Sequence, residues 1–216
     1  MPKPATQARR AYNSPTRRAR AEQTERRIVD AAASLLRDKG WAGTTLSDVA
    51  DEAGVSSAML YKAFRTKADL VKRVYDVTLV GDQADVPFRE RPEFQAVLHD
   101  ADPASKVAGY AHLMRIVAER ILPVYEQIRA AATAGDEDLA PIADTADAER
   151  LFGARGIVAD LTAMGALRPG IDEARAVDLV WMAMSPEFWS LLLRRGWSWD
   201  DTETWVADHL RATLLR

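Results

Sequence analysis

Ser57, Ala58, Tyr61 and Lys62 lie one, four and five residues apart. On a helix that spacing puts them on a single face. Together they offer a hydroxyl, a methyl, a phenol and an ammonium. These groups hydrogen-bond, pack and neutralise charge, and none of them needs to break a covalent bond. Small residues at the start of such a helix let its backbone approach the edges of bases. Residues suited to other chemistry are sparse. The chain has no Cys, which excludes a thiolate metal site, a cysteine nucleophile and a disulfide framework. Its three His, at 99, 112 and 209, are scattered and lack partners at metal-ligand spacing. A Gly-rich phosphate loop and a nucleophile elbow are both missing. The residues therefore point away from an enzyme, with no metal and no cofactor expected.

The open face needs elements to hold it. Ile28, Ala31, Ala32, Leu35 and Leu36 recur at helical spacing and predict a helix over 22–39, closed by Gly40. Thr45 and Asp48 form a capping-box pattern before a short helix from Leu46 to about Ala53. Gly54 ends that helix. Ser56 can cap a third helix reaching Phe64, and Thr66 with Asp69 repeats the capping pattern for a fourth that carries Leu70, Val74 and Val77. Two short helices joined tightly through Gly54 make a helix-turn-helix over about 45–64. Leu46, Val49, Ala50, Val55, Leu60 and Phe64 can brace it from behind.

The segment TTLSDVADEAGVSSAMLYKAFRTKADLVKRV (44–74), with RRIVDAAASLLRDKGWAG (26–43) before it, resembles the DNA-binding domain of TetR-family regulators. Spacing, turn and flanking helices all agree over about residues 22–80. The later stretches LHDADPASK, ALRPGIDEARAVDLVWMAMSPE and RRGWSWDDTETWVADHL resemble family members more loosely. The resemblance implies roles for single residues. Thr44, Thr45, Tyr61 and Lys67 would meet phosphates, Lys67 from the start of the fourth helix, where dipole and ammonium act on the same anion. Ser56, Ser57, Ala58 and Lys62 would contact bases: Lys62 through guanine O6 or N7, Ala58 against a thymine methyl. With few strong readers, part of the selectivity is expected from DNA shape.

Net charge is −3, but it is unevenly spread. Residues 1–75 carry 15 Lys/Arg against 8 Asp/Glu, while the remainder is acidic. A basic head on an acidic body fits a protein whose head alone meets a polyanion. Residues 1–21, with three Pro and six basic side chains, read as a disordered basic arm. Residues 22–82 form the DNA-binding domain, and 83–216 a helical bundle for effector binding and dimerisation. Within the bundle, one helical turn is predicted near 93–98, and helices at about 104–122, 123–133, 143–165, 172–194 and 200–214. Pro123 and Pro186 mark possible kinks. No apolar run suits a signal peptide or a membrane span, so a cytoplasmic protein is expected.

The resemblance implies an effector site in this bundle. Its dense aromatic and Met residues give Tyr110, Met114, Phe152, Trp181, Met184 and Trp189 as candidates, although such residues at helical spacing also build ordinary core. The helices over 172–194 and 200–214 are expected to form a homodimer. Their apolar stripe includes Val177, Val180, Trp181, Met184 and Phe188, with Trp197, Trp199 and Trp205 nearby. The whole implies an all-α regulator, a repressor that binds palindromic double-stranded DNA as a dimer and is released by a small, largely apolar effector. The alternative is a helix-turn-helix protein without an effector, either a constitutive regulator or a nucleoid-associated protein.

Overall fold

The first helix begins earlier than its apolar stripe requires. In the computed structural model, which describes residues 15–82, 84 and 86–216, helix α1 spans Pro15–Gly43. A proline suits the first helical position, because its fixed φ is already helical and its missing N–H would be unpaired there anyway. Arg, Ala, Glu and Gln in 17–23 have high helix propensity. Residues 15–21 are therefore helix and not part of a disordered arm. Residues 1–14 of the expected arm lie outside the described residues. Gly40, with φ of 69°, breaks α1 near its end.

Helices α2 (Leu46–Glu52), α3 (Ser57–Ala63) and α4 (Lys67–Val80) complete the head. Both expected capping boxes are formed. Asp48 accepts from Thr45 N at 3.0 Å while Thr45 Oγ1 accepts from Asp48 N at 3.1 Å. Thr66 and Asp69 exchange the same pair of bonds at the start of α4, both at 3.0 Å. Gly81 closes α4 with φ of 85°.

After a 3₁₀ turn at Phe88–Glu90 come α5 (Pro92–His99), α6 (Pro103–Thr133), α7 (Ala140–Ala163), α8 (Glu173–Ala183), α9 (Pro186–Arg194) and α10 (Trp199–Leu214). Apart from one isolated bridge, Leu167 to Leu215, the regular structure among the described residues is helical. Two of the expected helices, 104–122 and 123–133, are one. Pro123 sits inside α6, and its missing N–H leaves the Glu119 carbonyl without its helical donor while packing on both sides holds the helix together. The expected 172–194 helix does divide, at Ser185-Pro186. There Ser185 Oγ accepts from Phe188 N at 3.1 Å and starts α9.

Two buried clusters organise the chain. One joins Ile28, Leu36, Val49, Leu60, Leu70 and Val74 of the head to Val117, Ile121, Tyr125 and Ile128 of α6 and to Ile142 and Ala146 of α7. The other gathers Tyr110 and Ala111 of α6 with Ile157, Leu161, Val180, Trp189, Val206 and Leu210. Helix α6 runs through both and packs against α1, α4, α5, α7, α9 and α10. The hydrophobic packing thus crosses the boundary expected near residue 82. The stripe expected to face a partner mostly turns inward: Val177, Val180 and Met184 are buried, and Trp181 and Phe188 are partly so. Met182, Leu191, Trp197 and Trp205 are the exposed apolar side chains of that region. Among the described residues no single helix is long and apolar enough to cross a membrane.

Arg120 of α6 donates to the Val80 carbonyl at 3.3 Å and so clasps the end of α4. A Cβ at Gly81 would lie 2.4 Å from Arg120 Nη1, whereas one at Gly54, also at positive φ, would meet nothing within 4 Å. Alanine at either position is expected to cost about 1–2 kcal/mol for the left-handed backbone. Gly81→Ala should cost about 1 kcal/mol more, because the clasp is lost. Urea denaturation measures both; with Arg120→Ala in the background the two costs should become equal, and a persisting difference would contradict the clasp.

Candidate functional site

Helix α3 is seven residues long, and Leu60 is its one buried side chain. Phe64, just past its end, is buried as well. The turn before it works as the sequence indicates. Gly54 takes φ of 62°, and Val55 N reaches back to Ala50 O at 3.0 Å. Ser56 Oγ caps α3 by accepting from Met59 N at 3.3 Å, which leaves its own hydroxyl proton free to donate. Ser57, Ala58, Tyr61 and Lys62 are exposed together, Tyr61 at 55%. Met59, 45% exposed on the same helix, and Arg65, exposed in the following turn, join this surface. Neither was among the residues singled out from sequence. The signal for both was present, since an inward pair at 60 and 64 leaves the remaining side chains outside.

The residues expected at phosphates divide. Thr45 is exposed; its Oγ1 accepts the capping bond, and the hydroxyl proton is available to an anion. Asp48, partly exposed, holds its carboxyl below the usual range because of the hydrogen bonds from Thr45. Thr44 is turned inward instead. It is buried, its hydroxyl donates to Gly40 O at 2.8 Å, and its N–H goes to Trp41 O at 3.4 Å. The break at Gly40 frees that carbonyl, and Thr44 is the donor that satisfies it.

Lys67 stands at the first position of α4 but folds back. Its ammonium donates to the Trp41 carbonyl and lies 3.8 Å from the centre of the Trp41 ring. Burial lowers its pKa, with Asp136 pulling the other way. Trp41 is held in turn from the body: its indole N–H donates to Asp136 at 2.8 Å and its backbone N–H to Gln127 Oε1 at 3.3 Å. One of the three ammonium donors of Lys67 is thus committed, and the group is tied to the turn between α6 and α7.

A cavity of about 1020 Å³ opens between head and body. Tyr75, Asp76, Leu79 and Val80 of α4 line it, together with Phe88, Phe94 and residues of α6 and α7. Four of the sequence candidates meet there: Tyr110, Met114, Phe152 and Met184. Trp189 and Trp181 do not line it. Trp189 is fully buried with its indole N–H on Ala183 O at 2.9 Å. Trp181 gives its indole N–H to Asp147 O and lies under the Arg150 guanidinium, 4.8 Å away. Both are core and support, because each indole finds its acceptor inside the bundle. Burial raises the pKa of Tyr75 and of Tyr110, so both phenols keep their protons.

Comparison with known proteins agrees with this geometry. Residues 28–74 match the family model of bacterial regulatory proteins of the tetR family. The HTH-type transcriptional regulator TtgR of Pseudomonas putida is 39% identical over 56 residues, 26% of this chain and 27% of that protein. The uncharacterised HTH-type regulator YdeS of Bacillus subtilis is 28% identical over 177 residues, 82% of each. The short curated matches span only 26% to 32% of the length of the relatives concerned. A TetR-family transcriptional regulator from Rhodococcus sp. shares the fold, with a TM-score of 0.67 at 18% identity, over 89% of this chain and 99% of that one.

The split of α3 into one inward and several outward side chains has a measurable consequence. Leu60→Ala should cost about 2–5 kcal/mol, the range for a fully buried leucine. Tyr61→Ala and Met59→Ala should stay within about 0.5 kcal/mol of the parent, as exposed side chains do. Chemical denaturation of the three variants without DNA decides; comparable losses at 60 and 61 would mean that the open face is not open.

Proposed function

We propose that this chain, a member of the TetR family of bacterial regulatory proteins, is a DNA-binding transcriptional regulator whose α3 enters the major groove. In this reading two copies bind a palindromic operator and repress, and a small, largely apolar effector in the cavity releases them. The observation that carries the reading is the free face of α3, which is braced from behind by Leu60 and Phe64 and offers Ser57, Ala58, Tyr61 and Lys62 outward. Ser56 and Lys62 supply hydrogen bonds to base edges, and Thr45, Tyr61 and Lys67 hold phosphates. For Lys67 this means turning part of its ammonium from Trp41 to DNA.

A helix this short reads few bases, and a two-fold pair meets half-sites one helical turn apart. Exposed Leu191, Trp197 and Trp205 on and between α9 and α10 favour that face for the pair, with Phe188 stacked on Trp205 at 5.6 Å. The route of response has two joints. Helix α4 runs from Lys67 at the head to Tyr75 and Leu79 in the cavity wall. The second joint is the Trp41–Asp136 bond, which links the head to the turn after α6. An effector that prefers a shifted α4 changes the spacing of the two heads and spoils the half-site match.

Selection of bound DNA from a random pool tests the reading. A two-fold motif with half-sites about 34 Å apart is expected; enrichment without a motif would point to a nucleoid-type binder. On the selected site, Lys67→Ala should reduce the slope of log K against log salt by up to about two units per dimer, one phosphate per protomer. Lys62→Ala should relax preference at one base pair per half-site, at a cost of about 1–3 kcal/mol. An unchanged slope and motif in these variants would remove both residues from the interface.

Reciprocity supplies a further check. An effector that weakens DNA binding about 5–150-fold carries a coupling of about 1–3 kcal/mol, and operator DNA must weaken effector binding by the same factor. Equilibrium titrations with and without operator compare the two factors; unequal factors would defeat the two-state account.

A further inference from the structure

Lys62 is exposed, whereas Lys67, the other lysine read as a DNA contact, is held back by a series of contacts. Its ammonium donates to the Trp41 carbonyl and lies 3.8 Å from the centre of the Trp41 ring. The indole N–H of that ring donates to Asp136 Oδ2 at 2.8 Å. Asp136 belongs to the turn between α6 and α7, where its other oxygen, Oδ1, accepts from Asp138 N and Leu139 N, both at 3.0 Å. Leu139, the residue before α7, is fully buried in the core that head and body share. A body residue anchored at the start of α7 thus reaches a lysine of the head through one side chain, that of Trp41.

The parts of this series differ in freedom. The Trp41 carbonyl is backbone, and the N–H of the same residue is fixed by Gln127 Oε1 of α6 at 3.3 Å. Gly40 permits that approach, since a Cβ there would lie 3.0 Å from the same oxygen. The indole is a side chain that can rotate, and its single N–H is its only donor. Ring faces attract cations, so an indole pinned by Asp136 beside Lys67 keeps the ammonium there. The bond from Trp41 holds the Asp136 carboxyl below the ordinary range, and the resulting charge also pulls on Lys67. Carbonyl, ring and carboxylate all compete with a phosphate for the same cation.

We propose that Asp136 is a positioning residue for DNA binding: through the Trp41 indole it keeps Lys67 folded against the head, and DNA must loosen that hold to engage the lysine. The inference rests on reading Lys67 as a phosphate contact. A movement of the α6–α7 turn that breaks the Trp41–Asp136 bond lets Lys67 turn to DNA against less resistance. The body thereby adjusts the affinity of the head at the start of α4, away from the cavity wall at Tyr75–Val80.

Two variants separate the hold from charge and from folding. In Asp136→Asn the one carbonyl oxygen is used by the turn, and the amide nitrogen cannot accept from the indole. Trp41→Phe leaves the turn and the net charge untouched, removes the donor, and puts a weaker, unpinned ring beside Lys67. Both should bind the selected operator about threefold more tightly per head, about tenfold for a pair, the scale of a partly exposed cation–π contact. The slope of log K against log salt should stay at the parent value, because the same phosphates are met. Asp138→Asn, the same charge change at an exposed neighbour in the turn, should give no such gain. With Lys67→Ala in the background both gains should vanish. Without DNA, the Trp41 indole N–H resonance, assigned by its loss in Trp41→Phe, should exchange slowly with water in the parent and fast in Asp136→Asn, with circular dichroism checking the fold. A fast-exchanging indole in the parent, gains that survive Lys67→Ala, gains matched by Asp138→Asn, or variants that bind operator no better than the parent would each overturn the inference. Lys67→Ala alone separates the two readings. If it leaves operator affinity and salt slope unchanged, Lys67 is no phosphate contact. If it lowers both while the Trp41 and Asp136 variants change nothing, the phosphate contact stands and the hold falls.

Discussion

Helix α3 cannot hold itself in place. Seven residues are too few for a stable helix in water, and only Leu60 of α3 itself points inward. Its position is therefore set by the pocket that Leu60 enters, formed by the buried faces of α1, α2 and α4. The Ser56 cap, the turn at Gly54 and Phe64 just past the helix fix its two ends. This dependence also explains the exposed polar face. A helix anchored through one side chain has every other position free for a partner, and its orientation is as rigid as the core behind it.

That core does not stop at the head. It continues into Val117, Ile121, Tyr125 and Ile128 of α6, a helix that also forms the centre of the second cluster. Close-packed interiors transmit displacement poorly by bending and well by shifting whole elements. Few residues therefore separate the cavity wall from the core behind α3. Tyr75 belongs to the first core and to the cavity lining at once, one turn or so beyond the residues that pack behind α3. Arg120 fastens the far end of α4 to α6, while Asp136 and Gln127 fasten Trp41 near its beginning. Both ends of α4 are thus tied to the body, directly or through Trp41.

Much of this was legible in the sequence because it is local. Capping boxes at 45/48 and 66/69, the Gly54 turn and the 60/64 inward pair are all decided within four residues. The exposed faces of Tyr61 and Lys62 follow from that pair. Other features depend on distant partners and left no local mark. Trp41 meets Asp136 across 95 positions and Lys67 across 26. Thr44 sits beside an exposed cap residue yet turns inward, because a broken helix upstream leaves a carbonyl to satisfy. The start of α1 at Pro15 was missed for a different reason: a polar helix has no apolar period to read. For the ligand candidates, aromatic and Met content located the right helices but could not separate Met184, on the cavity, from Trp189, five residues on and sealed in core.

The α7 stripe marks the limit of pattern reading most clearly. In sequence, Ala146, Glu149, Arg150 and Gly153 look like part of an ordinary solvated helix face, with adjacent charges of opposite sign. The three-dimensional neighbours change their meaning. Arg150 turns toward Asp147 and Tyr125 and becomes structural, while Glu149 stays exposed on the cavity wall in the field of Lys72. An exposed carboxylate keeps much of its hydration, so this position carries no buried unpaired charge. Any switch between two states depends on contacts that differ between them, and the cavity offers such contacts from α4, α6 and α7 together.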